Sequence, residues 1–181
     1  MSPPGAKGKT IVLVGLMGAG KSNIGRKLAT RLGLPFVDAD TEIETAAGES
    51  IEEIFQRHGE AAFRDGERRV IARLLEQPRH VLSTGGGAFM DPTTRALIRE
   101  RGVSIWLKAD IEVLLQRVAR RSNRPLLKAG DPREVLEKLI AIRHPIYAEA
   151  DITVESLDGP PEQTLEKVVA ALEAYRPEGA S

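Results

Sequence analysis

Gly15-Leu16-Met17-Gly18-Ala19-Gly20-Lys21-Ser22, GLMGAGKS, follows the apolar run TIVLVG and opens a stretch with helical spacing. It fits G-x-x-x-x-G-K-[ST] in the setting that gives the pattern its meaning, a buried strand before it and a helix after it. The chemistry follows from the residue types. Glycines let the main chain turn tightly and present several N–H groups to a phosphate. The helix beginning at Lys21 adds the positive end of its dipole. Lys21 is placed to reach the β- and γ-phosphates, and the Ser22 hydroxyl to ligate Mg²⁺. The alternative, a chance glycine turn, does not account for the strand–helix setting. The stretch therefore reads as a nucleotide cradle, but it does not separate kinases from GTPases.

Working outward, short apolar runs alternate with helical stretches. Ile11–Val14 reads as a buried strand and Lys21–Leu32 as a helix with Ile24, Leu28 and Leu32 on one face. LPFVD, HVLST, VSIWL and ITV read as further strands. Helices are expected over Thr41–Ala47, Ile51–His58, Glu60–Glu76, Pro92–Arg101, Asp110–Arg120 and Glu162–Tyr175. Another is expected over Pro132–Glu149, interrupted near Pro145. Such alternation implies an α/β fold, a parallel sheet covered on both faces. Ligands in that class collect beyond the carboxyl ends of the strands.

Composition narrows the function. The chain has 181 residues, 41% apolar and 29% charged, which suits one ordinary globular domain. Its formal net charge is zero, against the basic excess of a dedicated nucleic-acid binder. With no cysteine, thiolate nucleophiles, disulfides and zinc–thiolate sites are excluded. No apolar run approaches a bilayer span and no signal-peptide pattern opens the chain, so a soluble cytoplasmic protein is expected. Residues 1–8 and 176–181 read as loose ends around a single domain over 9–175. Guanine-specific enzymes carry an N-K-x-D stretch, which is absent, and the length suits a small-molecule kinase.

Further residues carry candidate chemistry. Asp38 and Asp40 follow PFV, and on an extended backbone residues two apart face the same side. Two carboxylates at a strand end would serve phosphoryl transfer, one holding hydrated Mg²⁺, the other receiving the acceptor's hydroxyl proton. Helix-start chemistry is the alternative for the same DADTEIE stretch. Arg64 and Arg143 would suit an anionic acceptor if they converged, because guanidinium groups grip carboxylates bidentately. Gly85-Gly86-Gly87 after HVLST permits close backbone approach to a ligand, and Ser83 just before it could stand near the metal's water shell. The arginine-rich loop RSNRPLLKAGD reads as a lid or as a basic surface loop. His58, His80 and His144 lack metal-ligand spacing.

Taken in order, GLMGAGKS, FVDAD, SIEEIF…EAAFRDGE, VLSTGGGA, NRPLL and RHPIYAEAD resemble the shikimate kinases, over about Lys9 to Tyr175. The resemblance implies the P-loop fold of nucleoside-monophosphate kinases: a five-stranded parallel sheet of order 2-3-1-4-5, a substrate-binding region near 38–67 and a lid near 119–130. It implies transfer of the ATP γ-phosphoryl group to the 3-hydroxyl of shikimate, in the route to chorismate and aromatic amino acids. It also implies residue roles. Gly18, Ala19, Gly20, Lys21, Ser22 and Asn23 would wrap the ATP phosphates. Ser22, and Asp38 through water, would hold Mg²⁺. Asp40 would bind the shikimate hydroxyls and act as base, and Arg64 and Arg143 would clamp the carboxylate. Gly86 and Gly87 would offer backbone contacts, and Arg124 would close onto ATP. Ile51, Phe55 and Phe63 would line the substrate pocket, with Glu67 orienting an arginine. Asn23 stands where many relatives carry threonine, and which of Arg117, Arg120 and Arg121 stacks on adenine is left open. The partners expected are ATP and shikimate, with no nucleic acid or membrane, and the chain acting as a monomer. Gluconate or nucleoside-monophosphate kinases, the nearest rivals, lack the combined pattern. A non-catalytic ATP-binding module would predict damaged chemistry residues, whereas Lys21, Asp38, Asp40, Arg64 and Arg143 are all present.

Overall fold

The computed structural model describes residues 8–120 and 130–177. Five parallel strands form one sheet in the order β2-β3-β1-β4-β5. They are β1 (Thr10–Val14), β2 (Phe36–Asp38), β3 (Val81–Ser83), β4 (Gly102–Lys108) and β5 (Ile152–Glu155). Eight α-helices are seen among the described residues: α1 (Lys21–Leu32), α2 (Ala39–Ala47), α3 (Ile51–His58), α4 (Glu60–Leu74), α5 (Pro92–Arg101), α6 (Ile111–Ala119), α7 (Pro132–Tyr147) and α8 (Pro161–Ala174). A 3-10 turn, Ala88–Met90, follows the triple glycine.

The sheet is two-sided, so its central strands are mostly apolar and buried in a run rather than alternating. Every residue of β1 is buried, as are Gly102–Leu107 of β4. Helix packing completes the core with Leu28, Ile71, Leu74, Ile98, Leu114 and Leu172, among others, all nearly inaccessible. The chain builds outward from β1 on one side through β3 to β2, and on the other through β4 to β5. The carboxyl end of β1 is therefore the point where the strand order reverses, where a crevice opens in this class of fold.

Helix boundaries follow local chemistry. Ser50 caps α3 by accepting from the Glu53 amide (3.1 Å). Asp91 caps α5, with Pro92 at the first helical position. Two expectations are corrected. Asp38-Ala39-Asp40 is not extended throughout: Asp38 ends β2 and caps α2, accepting from the amides of Asp40 (2.9 Å) and Thr41 (3.3 Å), so Asp40 is already helical. And α7 runs through Pro145 to Tyr147. Proline there removes one helical hydrogen bond, but Tyr147, fully buried, anchors the last turn in the core.

Candidate active site

A cleft of about 610 Å³ opens at the carboxyl ends of the strands. The cradle forms its floor. The turn depends on glycine backbone at positive φ, notably Gly18 (83°) and Gly20 (95°). Gly20 precedes α1 without any side-chain cap, and no acidic residue stands in the first turn. The dipole at this end of α1 therefore favours an anion with no competing acidic side chain in the first turn.

Hydrogen bonds hold the loop's carbonyls. Lys21 Nζ donates to the carbonyls of Gly15 (2.6 Å) and Leu16 (3.0 Å). Arg117 Nη1 donates to the Gly18 carbonyl (2.9 Å) and Ser156 Oγ to that of Ala19 (2.8 Å). Arg117 also donates to Ser156 Oγ (3.0 Å) and to the Leu157 carbonyl (2.7 Å), tying α6 and the end of β5 to the cradle. Burial lowers the pKa of Arg117 from its very high ordinary value, with Arg120 adding to the effect and Asp158 opposing it. Sequence reading gave Arg117 only as one of three arginines beside adenine and missed Ser156. No local pattern marks either as a clamp on main-chain carbonyls seen only in the folded chain.

Beside the cradle, strand register brings oxygen donors together. Asp38 pairs with Ser83 across β2 and β3, and Ser83 with Leu13 across β3 and β1. Ser22, in the first turn of α1, donates to Asp38 Oδ2 (3.1 Å) and lies 3.4 Å from Ser83 Oγ. Asp38 thus uses one carboxylate oxygen as a helix cap and the other toward Ser22. Among the described residues no group of three or more His, Cys, Asp or Glu side chains could hold a metal ion. The site offers hydroxyls and one carboxylate instead, hard oxygens that suit Mg²⁺, which keeps waters and takes further ligands from phosphates.

Gly85 and Gly86 also line the cleft, Gly87 follows them, and each of the three faces a different charged side chain. A Cβ on Gly85 would lie 2.9 Å from Asp40 Oδ1 and 3.3 Å from Glu67 Oε2. One on Gly86 would lie 2.9 Å from Arg143 Nη1, and one on Gly87 would collide with the Arg64 guanidinium. Asp40 from α2, Arg64 from α4 and Arg143 from α7 therefore converge on one loop. Glu67, only 3% exposed, accepts from Arg64 Nη1 at 2.9 Å. Burial raises its carboxyl above the ordinary range, helped by the Asp40 charge and opposed by Arg64 and Arg143. Phe55 and Phe63 meet with ring centroids 4.8 Å apart, and the Arg64 guanidinium lies over Phe63 at 5.1 Å. Asn23 and Arg120 also line the cleft. Arg124 and Arg121 lie outside the described residues, as does most of the expected lid.

The family model for shikimate kinase matches residues 17–173. The chain belongs to the shikimate kinase family. Members of this family transfer phosphate from ATP to shikimate. The shikimate kinase of Paramagnetospirillum magneticum is 62% identical over 171 residues, covering 94% of this chain and 88% of that protein. That of Caulobacter vibrioides is 61% identical over 166 residues, covering 92% and 83%. Among solved structures, a shikimate kinase from Acinetobacter baumannii in complex with shikimate matches with a TM-score of 0.85 at 40% identity, covering 90% of this chain and 92% of that one. A gluconokinase from Sinorhizobium meliloti matches with a TM-score of 0.65 at 19% identity, over 95% and 93%, and so shares the fold alone.

Proposed function

We propose that this chain transfers the γ-phosphoryl group of ATP to the 3-hydroxyl of shikimate, giving shikimate 3-phosphate and ADP on the route to chorismate. The observation that carries the proposal is the triple glycine loop faced in turn by Asp40, Arg143 and Arg64. A carboxylate and two guanidinium groups around a bare backbone suit an acceptor with a hydroxyl at one end and an acid group at the other. The neighbouring cradle brings the nucleotide into the same cleft.

The roles follow from the chemistry of each group. The amides from Gly18 to Asn23 bind the phosphates. Lys21 leaves the Gly15 and Leu16 carbonyls to follow the charge of the transferring group. Asp40 accepts the proton of the attacking hydroxyl. Arg64 and Arg143 hold the acceptor's carboxylate and fix its distance from the cradle. Glu67 holds Arg64 in place. Ser22, and Asp38 through water, would hold Mg²⁺, which would supply positive charge to offset that of the phosphates. Arg124 closes over ATP from the lid and helps exclude water, a role that rests on the family resemblance. The chain works as a monomer in the cytoplasm, the first of which sedimentation equilibrium checks directly.

Coupled ADP release decides the reaction. Turnover is expected with shikimate and not with gluconate or nucleoside monophosphates. Absence of turnover with shikimate would reject the proposal.

A further inference from the structure

Tyr147 is the largest wholly buried side chain among the described residues, yet it ends in a hydroxyl. That hydroxyl donates to the carbonyl of Gly86, the middle glycine of the acceptor loop. The ring packs against Trp106 at 5.8 Å and Phe89 at 6.5 Å, and Phe89 belongs to the 3-10 turn that follows the loop. Arg143 stands one turn earlier on α7, beside the same hydroxyl and against Gly86. One phenol therefore touches both the loop and a proposed carboxylate ligand.

A core that wanted only volume here would take phenylalanine, because a buried hydroxyl must be satisfied or it costs free energy. The Gly86 carbonyl is what satisfies it, and glycine is where such a grip has most to restrain, since its backbone has the widest choice of conformations. The peptide unit is planar and trans, so its carbonyl and N–H point in opposite directions. Holding the Gly86 carbonyl toward α7 turns the Gly87 amide the other way. We propose that Tyr147 is a positioning residue for the acceptor. Its hydroxyl fixes the Gly86–Gly87 peptide, and with it the aim of the Gly87 amide and the seat of Arg143. The inference rests on the proposed reaction, in which those groups meet shikimate. Burial pushes the phenol up to about 12, with Arg143 opposing, so the hydroxyl keeps its proton and remains a donor throughout the working pH range.

Tyr147→Phe removes the one hydroxyl and leaves the ring. Losing one net hydrogen bond should lower kcat/KM for shikimate by about three- to tenfold, with the KM for ATP unmoved. Combined with Arg143→Ala, its effect should be less than additive, because both act on one seat. Phe89→Leu loosens the same packing without touching the hydrogen bond. It should lower the Tm more than Tyr147→Phe while changing shikimate kinetics less. Four results would overturn the inference: unchanged kcat/KM for shikimate, equal losses for both substrates, full additivity with Arg143→Ala, or a Tyr147→Phe chain too unstable to assay, which would make the hydroxyl structural. Turnover of shikimate by the unsubstituted chain, read in the same assay, tests the underlying reaction separately.

Discussion

The proposed nucleotide end of the cleft comes from one unbroken run of chain, 15–23, and presents mainly backbone, whereas the proposed acceptor end gathers side chains from α2, α4 and α7 around the loop after β3. The contrast shows in what a methyl group would meet. At Gly15 an added Cβ would come within 2.8 Å of the Leu107 carbonyl, main chain that cannot step aside, at a φ of 148°. At Gly86 and Gly87 it would meet the ends of arginine side chains, which can. The cradle's carbonyls are tied by Arg117 and Ser156, and by Lys21 until the nucleotide draws it away. The acceptor end is an assembly of separately anchored parts. Damage to the first should reach stability and ATP binding together; damage to the second should reach shikimate and leave ATP alone.

The sharpest way to break that contrast is Asp40→Asn. Turnover should fall at least about a hundredfold, the scale of a lost acid–base group, while ATP binding measured by calorimetry is retained. Normal turnover would remove Asp40 as the base. Gly87→Ala should come next. Its methyl displaces the Arg64 guanidinium, and a misplacement of that kind should cost about ten- to a hundredfold in kcat/KM for shikimate, with little change in Tm. Gly15→Ala should show the reverse pattern. Strain at a positive φ costs on the order of 1–3 kcal/mol, so the Tm should fall by about 2–12 °C and the KM for ATP should rise. If both glycine substitutions moved the same substrate, the two ends would not be separate structures.

The same contrast explains what the sequence could and could not tell. The cradle is legible because its whole pattern is contiguous and its flanking strand and helix are strongly apolar and periodic. The parallel sheet is legible from the alternation of elements; its strand order came from the family resemblance and is the order found. Asp38 and Asp40 stand between two readings, an extended pair and a helix start, and the chain adopts the second. D-x-D suits an extended strand end and a helix start equally, and the free amides of α2 select the second. The meeting of Arg64 with Arg143 depends on how α4 and α7 pack about the glycine loop, which no short pattern encodes. Arg117 and Ser156 escaped as a clamp for the same reason: their partners are main-chain carbonyls distant in sequence.

The smallest effect tests whether the anchoring of α4 reaches the acceptor end. Arg68, one turn beyond Arg64 on α4, donates to both carboxylate oxygens of Asp91 (3.1 and 3.0 Å), and Asp91 in turn caps α5 through the Thr94 amide at 2.8 Å. The hydrogen bond from Arg68, then those from Thr94, hold the Asp91 pKa down at about 2, against the opposing effect of burial. A carboxyl whose folded pKa is depressed contributes stability above its ordinary value, here near 3.8, and loses it as pH falls toward about 2. That window lies below the working range, so the tie holds whenever the enzyme turns over. The Arg68 side chain is 38% exposed, so solvent screens the ion pair and the cap carries most of the effect. Asp91→Ala should therefore cost about 1 kcal/mol, a fall of about 2–4 °C in Tm. If α4 is seated partly by this tie, the KM for shikimate should rise slightly and that for ATP should not move. A rise in the KM for ATP alone would mean that the tie serves the sheet and its cradle rather than the arginine helix.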